Sequence, residues 1–294
     1  MQKHRGRALA TALLAVALAA LGLVATAQAK LTGEYTRFAN CPYANLEVKK
    51  CLLSTTTSGE VVLGKKAVPI TNPVVLQGGA GKQVEGIAPF FAASNGITLS
   101  KAPQNVPGGL LGIVPDASSP FLVKALIKFF LENSLTGVNS TLELAKPASE
   151  IRVSENNLAA EEGVALKMPV MVHLENPFLG KSCYVGSAAS PITWNLTTGK
   201  TAPPAPNTSI SGKAGFIEFL EEGSIALLKE AKLVDNAWSA PKATGCGGIL
   251  SFLVTPIINA QLGTTAAGYN TAILNNTIYI AAAAAVRLNN AENP

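Results

Sequence analysis

The stretch VALKMPVMVHLE, residues 164–175, carries the most regular pattern in the chain. Every even-numbered position holds an aliphatic side chain or methionine, whereas Lys167, His173 and Glu175 fall on odd-numbered positions. A period of two is typical of a β-strand with one buried and one wetter face. Because Pro169 has no N–H to donate to a neighbouring strand, we predict that this strand is an edge strand or contains a bulge.

Short β-branched runs bounded by Gly, Pro and Asn extend the predicted sheet in both directions. The further predicted strands are 61–63, 67–70, 74–76, 141–144, 150–153, 182–185, 192–196, 232–238, 270–274 and 277–283. The last two are predicted to form a hairpin about Asn275-Asn276, although the alanine run 281–285 also suits a helix. The glycines of 78–82 are interpreted as a turn after the strand that ends at Leu76.

Three segments have helical character. The first is 120–135, which is almost entirely apolar. Ser119 can cap this helix, and Pro120 suits its first turn. The others are 216–229 and 249–262, the latter interrupted by Pro256. The sequence therefore predicts a β-rich α+β fold: an antiparallel sandwich or barrel-like sheet with two or three helices, stabilised by disulfides. We expect a single domain over 30–294, with a long Pro-rich loop over 198–215.

The first 29 residues predict a signal peptide. Lys3, Arg5 and Arg7 precede an apolar run, and Ala27-Gln28-Ala29 supplies the small residues of a cleavage site. Cleavage would lower the formal net charge from +5 to +2, because it removes three cations and no anion. We therefore expect a secreted or envelope-associated protein with no transmembrane span in the mature chain and no electrostatic reason to bind nucleic acid.

The four cysteines fit export. An even number of cysteines in an exported chain predicts disulfides, and four allow three pairings. We favour Cys41–Cys51 and Cys183–Cys246, because the first pair closes a short loop. Their spacing does not match a zinc site, so no metal is predicted. The sequence also gives no reason to expect a cofactor.

Catalytic motifs are scarce. His173 is the only histidine after residue 29, and its strand parity predicts a surface position. The alternative is the base of a Ser-His-acid arrangement, although the G-x-S-x-G nucleophile motif is absent. Asp235 lies near Trp238, which suits either a turn beside a core tryptophan or a carboxylate with an aromatic platform for a sugar.

The greatest hydrophobic surplus lies in 106–135. One interpretation is a core helix with its entry loop, and the other is a lining for an apolar ligand or partner. The candidate ligand-binding residues are Leu110, Leu111, Phe121, Leu126, Phe129 and Phe130. Lipid, an apolar small molecule or an envelope component would be the partner.

Three stretches are familiar as a group: NPFLGKSCYVGS (176–187), NLTTGKTAPPAPN (195–207) and LVDNAWSAPKATGCGG (233–248). Together they resemble uncharacterised secreted proteins of Gram-positive actinobacteria. The resemblance implies export to a bacterial envelope and carries no fold or activity. We expect a non-catalytic binding or structural protein outside the cytoplasm; the alternatives are an exported hydrolase of esters or glycans and an adhesin that assembles through edge strands such as 164–175.

Overall fold

The computed structural model describes residues 30–109, Phe121 and 137–293. Fourteen strands are found among these residues, and all belong to one hydrogen-bonded network. The strands are β1 (Lys50–Leu63), β2 (Lys66–Pro69), β3 (Val74–Ala80), β4 (Ala88–Ala92), β5 (Pro103–Val106), β6 (Val138–Leu144), β7 (Arg152–Val153), β8 (Leu166–Glu175), β9 (Tyr184–Val185), β10 (Ile192–Leu196), β11 (Phe216–Leu220), β12 (Ile225–Asp235), β13 (Ala243–Thr244) and β14 (Asn270–Ala282). Every strand pairing among them is antiparallel.

The described residues also form three α-helices and four short 3₁₀ turns. The α-helices are α1 (Glu155–Ala160), α2 (Ser251–Leu262) and α3 (Ala283–Glu292). The 3₁₀ turns are Gly33–Phe38, Ala148–Glu150, Glu221–Gly223 and Gly248–Leu250. The β-rich α+β class predicted from the sequence is therefore confirmed, with the helices attached to one extended antiparallel sheet.

The sheet folds back on itself. Its main path runs β11-β12-β14-β1-β3-β4-β7-β8-β6-β5, and β10 pairs with the other side of β8. The residue after β10, Thr197, exchanges two backbone hydrogen bonds of 2.9 and 2.8 Å with Val234 of β12. This bridge brings the two halves of the network face to face, so their inner side chains share one interior.

Two apolar clusters stabilise the fold. The larger lies between the two halves of the sheet and includes the fully buried Trp194 and Val170. The smaller packs α3 and the turn Gly33–Phe38 against one end of β1 and β14. The main interior therefore lies at one part of the sheet, and the smaller cluster joins residues 31–38 to α3 at another.

The alternation predicted for β8 is confirmed, but its predicted position at an edge of the sheet is wrong. Leu166, Met168, Val172 and Leu174 face the interior, whereas Lys167 and Glu175 are exposed. The strand is not an edge strand, because β6 and β7 pair along one side and β10 and β9 along the other. Pro169 lies where the strand paired with one side of β8 changes from β6 to β7. Its missing N–H therefore interrupts no row of hydrogen bonds between strands.

Two further predictions are wrong, both in the long hairpin-rich half of the sheet. Residues 270–282 form one strand and no hairpin, because Asn275 and Asn276 pair with β1 on one side and β12 on the other. The predicted helix 216–229 is a hairpin of β11 and β12, with Gly223 and Ser224 in the turn. Tertiary pairing outweighs local preference in each case.

The glycines at 78 and 79 are also not a turn. They lie inside β3 and are buried. A Cβ on Gly78 would come within 2.4 Å of the Phe91 carbonyl oxygen, and one on Gly79 within 2.6 Å of a Val48 methyl group. Glycine is therefore required here for close packing between neighbouring elements.

The favoured disulfide pairing is confirmed. Cys41 bonds to Cys51, and Cys183 bonds to Cys246. The first bond joins the N-terminal turns to the start of β1, whereas the second joins the β9 region to the segment that leads into α2. Over the described ranges, no helix combines the length and the apolar character that crossing a bilayer needs.

Candidate ligand-binding cavity

A large apolar cavity occupies the space between the two halves of the sheet. Its volume, counted as the space open to the centre of a water-sized sphere, is about 130 Å³. The walls are formed mainly by aliphatic side chains from both halves: Val61, Leu63, Val68, Ile70, Val74, Leu76, Leu99, Val106, Val138, Leu142, Leu166, Met168, Val172, Leu174, Leu179, Leu233, Ile258, Leu262 and Leu274. Ligand sites in proteins are concave and mostly apolar, and one water molecule needs about 10–15 Å³ of space measured in this way. The cavity therefore offers roughly ten times the space of one water, behind a mainly apolar lining.

The polar groups of the lining mostly bond to the protein itself. The Gln104 side chain accepts the backbone N–H groups of Thr71 and Asn72 and donates to the carbonyl oxygens of Asn72 and Ala102. Asn276 accepts the Thr56 hydroxyl at 2.6 Å and donates to the Leu274 carbonyl oxygen. Because these groups satisfy one another, they leave a mainly apolar surface toward the cavity.

Lys66 is the one charged side chain among the described residues of the lining. It shares the inner face of β2 with Val68, whereas Ala67 and Lys65 are exposed. Burial lowers the pKa of Lys66 from its ordinary value. Because Lys66 lines the cavity and is only partly buried, we infer that it lies near the opening, where its ammonium group can meet the polar end of a bound molecule.

Trp194 adds a polar atom without a hydrogen-bond partner to the described part of the wall. Its ring is 1% exposed and lines the cavity, and among the described atoms its indole N–H has no hydrogen-bond acceptor. The ring of Trp238 packs against it edge to face, with 6.1 Å between centroids. A buried indole N–H ordinarily finds a partner, so Trp194 is a candidate donor to a bound oxygen.

Asp235 holds the strand that carries Trp194. Its carboxylate accepts the backbone N–H groups of Asn195 at 2.6 Å and Ala237 at 3.0 Å, and burial raises the pKa of Asp235. The indole N–H of Trp238 donates to the Asp235 carbonyl oxygen at 3.2 Å, inside the core. This arrangement matches the structural interpretation, a turn beside a core tryptophan, and Trp238 presents no exposed platform to a sugar.

The predicted ligand residues are not among the described residues that line this cavity. Leu110, Leu111, Leu126, Phe129 and Phe130 lie outside the described residues. Phe121 is described, and 83% of its side chain is exposed. The cavity is lined by Val106 and Gly109, at the start of the predicted segment 106–135, and by Val138, which follows it. The walls from β1, β2, β3 and β8 were missed, because the period-two pattern shows that a face is buried but cannot show that it borders a cavity.

His173 lies on the opposite face of β8 from the cavity. Its Nδ1 is 3.7 Å from an oxygen of Glu143 and 3.7 Å from an oxygen of Glu175, and its ring stacks on Tyr184 with 4.3 Å between centroids. Burial and then the Glu143 carboxylate raise the pKa of Tyr184. Within the described ranges no serine hydroxyl hydrogen-bonds to His173, so the structure supplies no nucleophile for the Ser-His-acid alternative.

Comparison of the chain with protein families, curated proteins and solved structures found no match. In the part of the chain that the structure describes, no three His, Cys, Asp or Glu side chains converge on a position that suits a metal ion. The cavity is therefore the feature with the clearest chemical character, and that character is apolar.

Proposed function

We propose that this protein binds a lipid-like molecule in the cavity between the two halves of its sheet, and that it does so outside the cytoplasm. The observation that carries the proposal is the cavity itself, with a volume of about 130 Å³ and a lining in which Lys66 is the one charged side chain described. Protein interiors are ordinarily close-packed, with few voids larger than a water molecule. An apolar cavity of this size is best explained by a ligand that fills it.

The charge at the opening indicates the class of ligand. An apolar lining suits an acyl chain, because burying it removes hydrocarbon surface from water. Lys66, half-buried at the opening, supports an anionic group at the other end, since a bound anion would compensate for its desolvation. A single-chain amphiphile with a carboxylate or phosphate head fits both features.

The two disulfides and the signal-peptide pattern of residues 1–29 support a site of action outside the cytoplasm, where disulfides persist. The resemblance of residues 176–187, 195–207 and 233–248 to secreted actinobacterial proteins supports a bacterial envelope. In that setting the ligand would be an envelope lipid or a product of its breakdown.

The proposal is tested by incubating the purified chain, residues 30–294, with envelope lipid extract, removing free lipid by gel filtration and identifying retained species by native mass spectrometry. We expect a single-chain anionic lipid at one molecule per chain. A fluorescent fatty acid titrated into the same preparation should show saturable binding. If no lipid is retained and the fatty acid does not bind, the proposal is wrong.

The Lys66→Met variant tests the head-group assignment. We expect it to weaken binding of a long-chain fatty acid about tenfold, the size of one modest charge-assisted contact, and to leave the affinity for the matching fatty alcohol unchanged. Lys65→Met is the matched control, because Lys65 neighbours Lys66 and is exposed. Isothermal titration calorimetry measures all four combinations. An equal loss for acid and alcohol would remove Lys66 from the head-group site.

A further inference from the structure

The outward face of α2 is apolar where a surface helix is ordinarily polar. Its exposed residues are Phe252, Leu253, Pro256, Ile257 and Ala260, which fall on one side of the helix at positions i, i+1, i+4, i+5 and i+8. Ile249 and Leu250, in the turn that precedes α2, are exposed as well. We name Ile249, Leu250, Phe252, Leu253 and Ile257 the apolar face.

The inward side of the same helix belongs to the fold. Ile258 and Leu262 are buried and line the cavity, and the Asn259 side chain bonds to both backbone groups of Ala243. The Thr255 hydroxyl donates to the Cys246 carbonyl oxygen at 3.0 Å. The helix is thus fixed in place, and its exposed side remains apolar although its buried side already meets the core.

Exposed lysines lie on three segments that contact α2 or the turn that precedes it. Lys65 lies at the C-terminal end of α2, since its backbone N–H donates to the Leu262 carbonyl oxygen at 2.8 Å. Lys181 follows Gly180, which packs against Gly248 ahead of the helix. Lys242 precedes Ala243, the residue bonded to Asn259. All three lysines are exposed, and Lys66 adds a fourth cation at the cavity opening.

Among the described residues, the segments that contact α2 carry no acidic residue to balance these lysines. The sequence has no Asp or Glu between Glu60 and Glu85, between Glu175 and Glu218, or between Asp235 and Glu292. The surface around α2 therefore combines apolar side chains with positive charge, which the net charge of the whole chain does not reveal. This combination matches the boundary of an anionic bilayer, where apolar side chains enter the acyl region and lysines meet the head groups.

We propose that the apolar face of α2 docks this protein on an anionic lipid bilayer. Phe252 and Ile257 enter the interface, and Lys65, Lys181 and Lys242 contact acidic head groups. The docked surface is the outer side of a wall of the cavity, so docking would bring the cavity to the membrane. The proposal goes beyond ligand binding, and it holds whether or not the cavity carries a lipid.

Sedimentation with vesicles tests the proposal, using phosphatidylcholine vesicles with and without phosphatidylglycerol. We expect the unaltered chain to bind the anionic vesicles and to be released as salt rises. The Phe252→Ser/Ile257→Ser variant should bind about tenfold more weakly or worse, because two large apolar side chains no longer enter the interface. Phe219→Ser is the matched control: Phe219 of β11 is 68% exposed, against 71% for Phe252.

Three results would overturn the proposal. The first is that the unaltered chain does not bind anionic vesicles, and the second is that the double variant binds as well as the unaltered chain. The third is evidence that something other than a bilayer covers the apolar face. Such evidence would be a dimer, detected by sedimentation velocity, that the substitutions dissociate, or proteolytic cleavage within 110–136 that occurs only in the substituted chain. Circular dichroism and the unfolding midpoint establish that each variant is folded. A cavity-blocked variant, Val172→Trp, should still bind vesicles, so failure of docking is distinguishable from failure of ligand binding.

Discussion

Replacing Val172 with tryptophan should weaken fatty-acid binding by at least about tenfold while the protein stays folded. Val172 lies on the inner face of β8, lines the cavity and is only partly buried. A tryptophan there would extend into space that the ligand needs, so the bound acyl chain would be displaced or shortened. Since the cavity has room, we expect the cost in unfolding free energy to stay at the low end of the roughly 1–3 kcal/mol typical of overpacking.

The control for this substitution lies on the same strand. Lys167→Trp introduces the same side chain on the outer face of β8, where residue 167 is exposed, and should leave the affinity unchanged. Val172→Phe, with a smaller added volume, should give an intermediate loss. Calorimetric titration of a fatty acid into the three variants, with urea unfolding of each, measures affinity and stability separately. Equal affinities in Val172→Trp and Lys167→Trp would place the ligand elsewhere or show that the cavity is not a binding site.

Removing the Cys183–Cys246 disulfide should destabilise the protein more than removing the Cys41–Cys51 disulfide. The two bonds join cysteines 63 and 10 residues apart. The chain entropy that each bond removes from the unfolded state is worth roughly 4.3 and 2.7 kcal/mol respectively. We therefore expect Cys183→Ala/Cys246→Ala to lose more unfolding free energy than Cys41→Ala/Cys51→Ala, as measured by urea denaturation.

The longer bond also has a local consequence for the cavity. Beside it, the backbone N–H of Gly247 donates to the Leu179 carbonyl oxygen at 2.7 Å, and Leu179 is a buried residue of the cavity wall. Loss of the bond should therefore weaken ligand binding as well as stability, whereas loss of Cys41–Cys51 should affect stability alone. An equal or smaller stability loss for the Cys183–Cys246 variant would contradict the entropic account of the bond.

The local sequence pattern predicted correctly those features of the fold that one local interaction dominates. The even-numbered side chains of β8, from Leu166 to Leu174, face the interior because alternation follows from strand geometry whatever the partners are. The segment 249–262 is helical despite Pro256, which lies inside α2. The disulfide pairing followed from the spacing of Cys41 and Cys51. Each of these features depends on a few neighbouring residues, and so the sequence contains the information directly.

The wrong predictions concern partners distant in the chain. Residues 216–229 have helical character, yet they form β11 and β12 because β12 pairs with β14. Asn276 suits a turn, yet it is buried and accepts the Thr56 hydroxyl of a strand more than two hundred residues away in sequence. Pro169 suggested an edge strand because the change of partner beside it was not visible in the sequence. Propensity was outweighed in each case by pairing across the sheet.

The sequence alone therefore determined the class of this protein: a β-rich chain with few charges, two disulfides and the pattern of an exported protein. Only the tertiary structure decided that the inner face of β8 borders a cavity and that Lys66 is part of its lining. The tertiary structure also decided that α2 carries apolar residues on its outer side and that segments with exposed lysines meet this helix and the turn before it. The physical reason is that burial of a side chain follows from local periodicity, whereas empty space and surface patches arise from how distant segments meet.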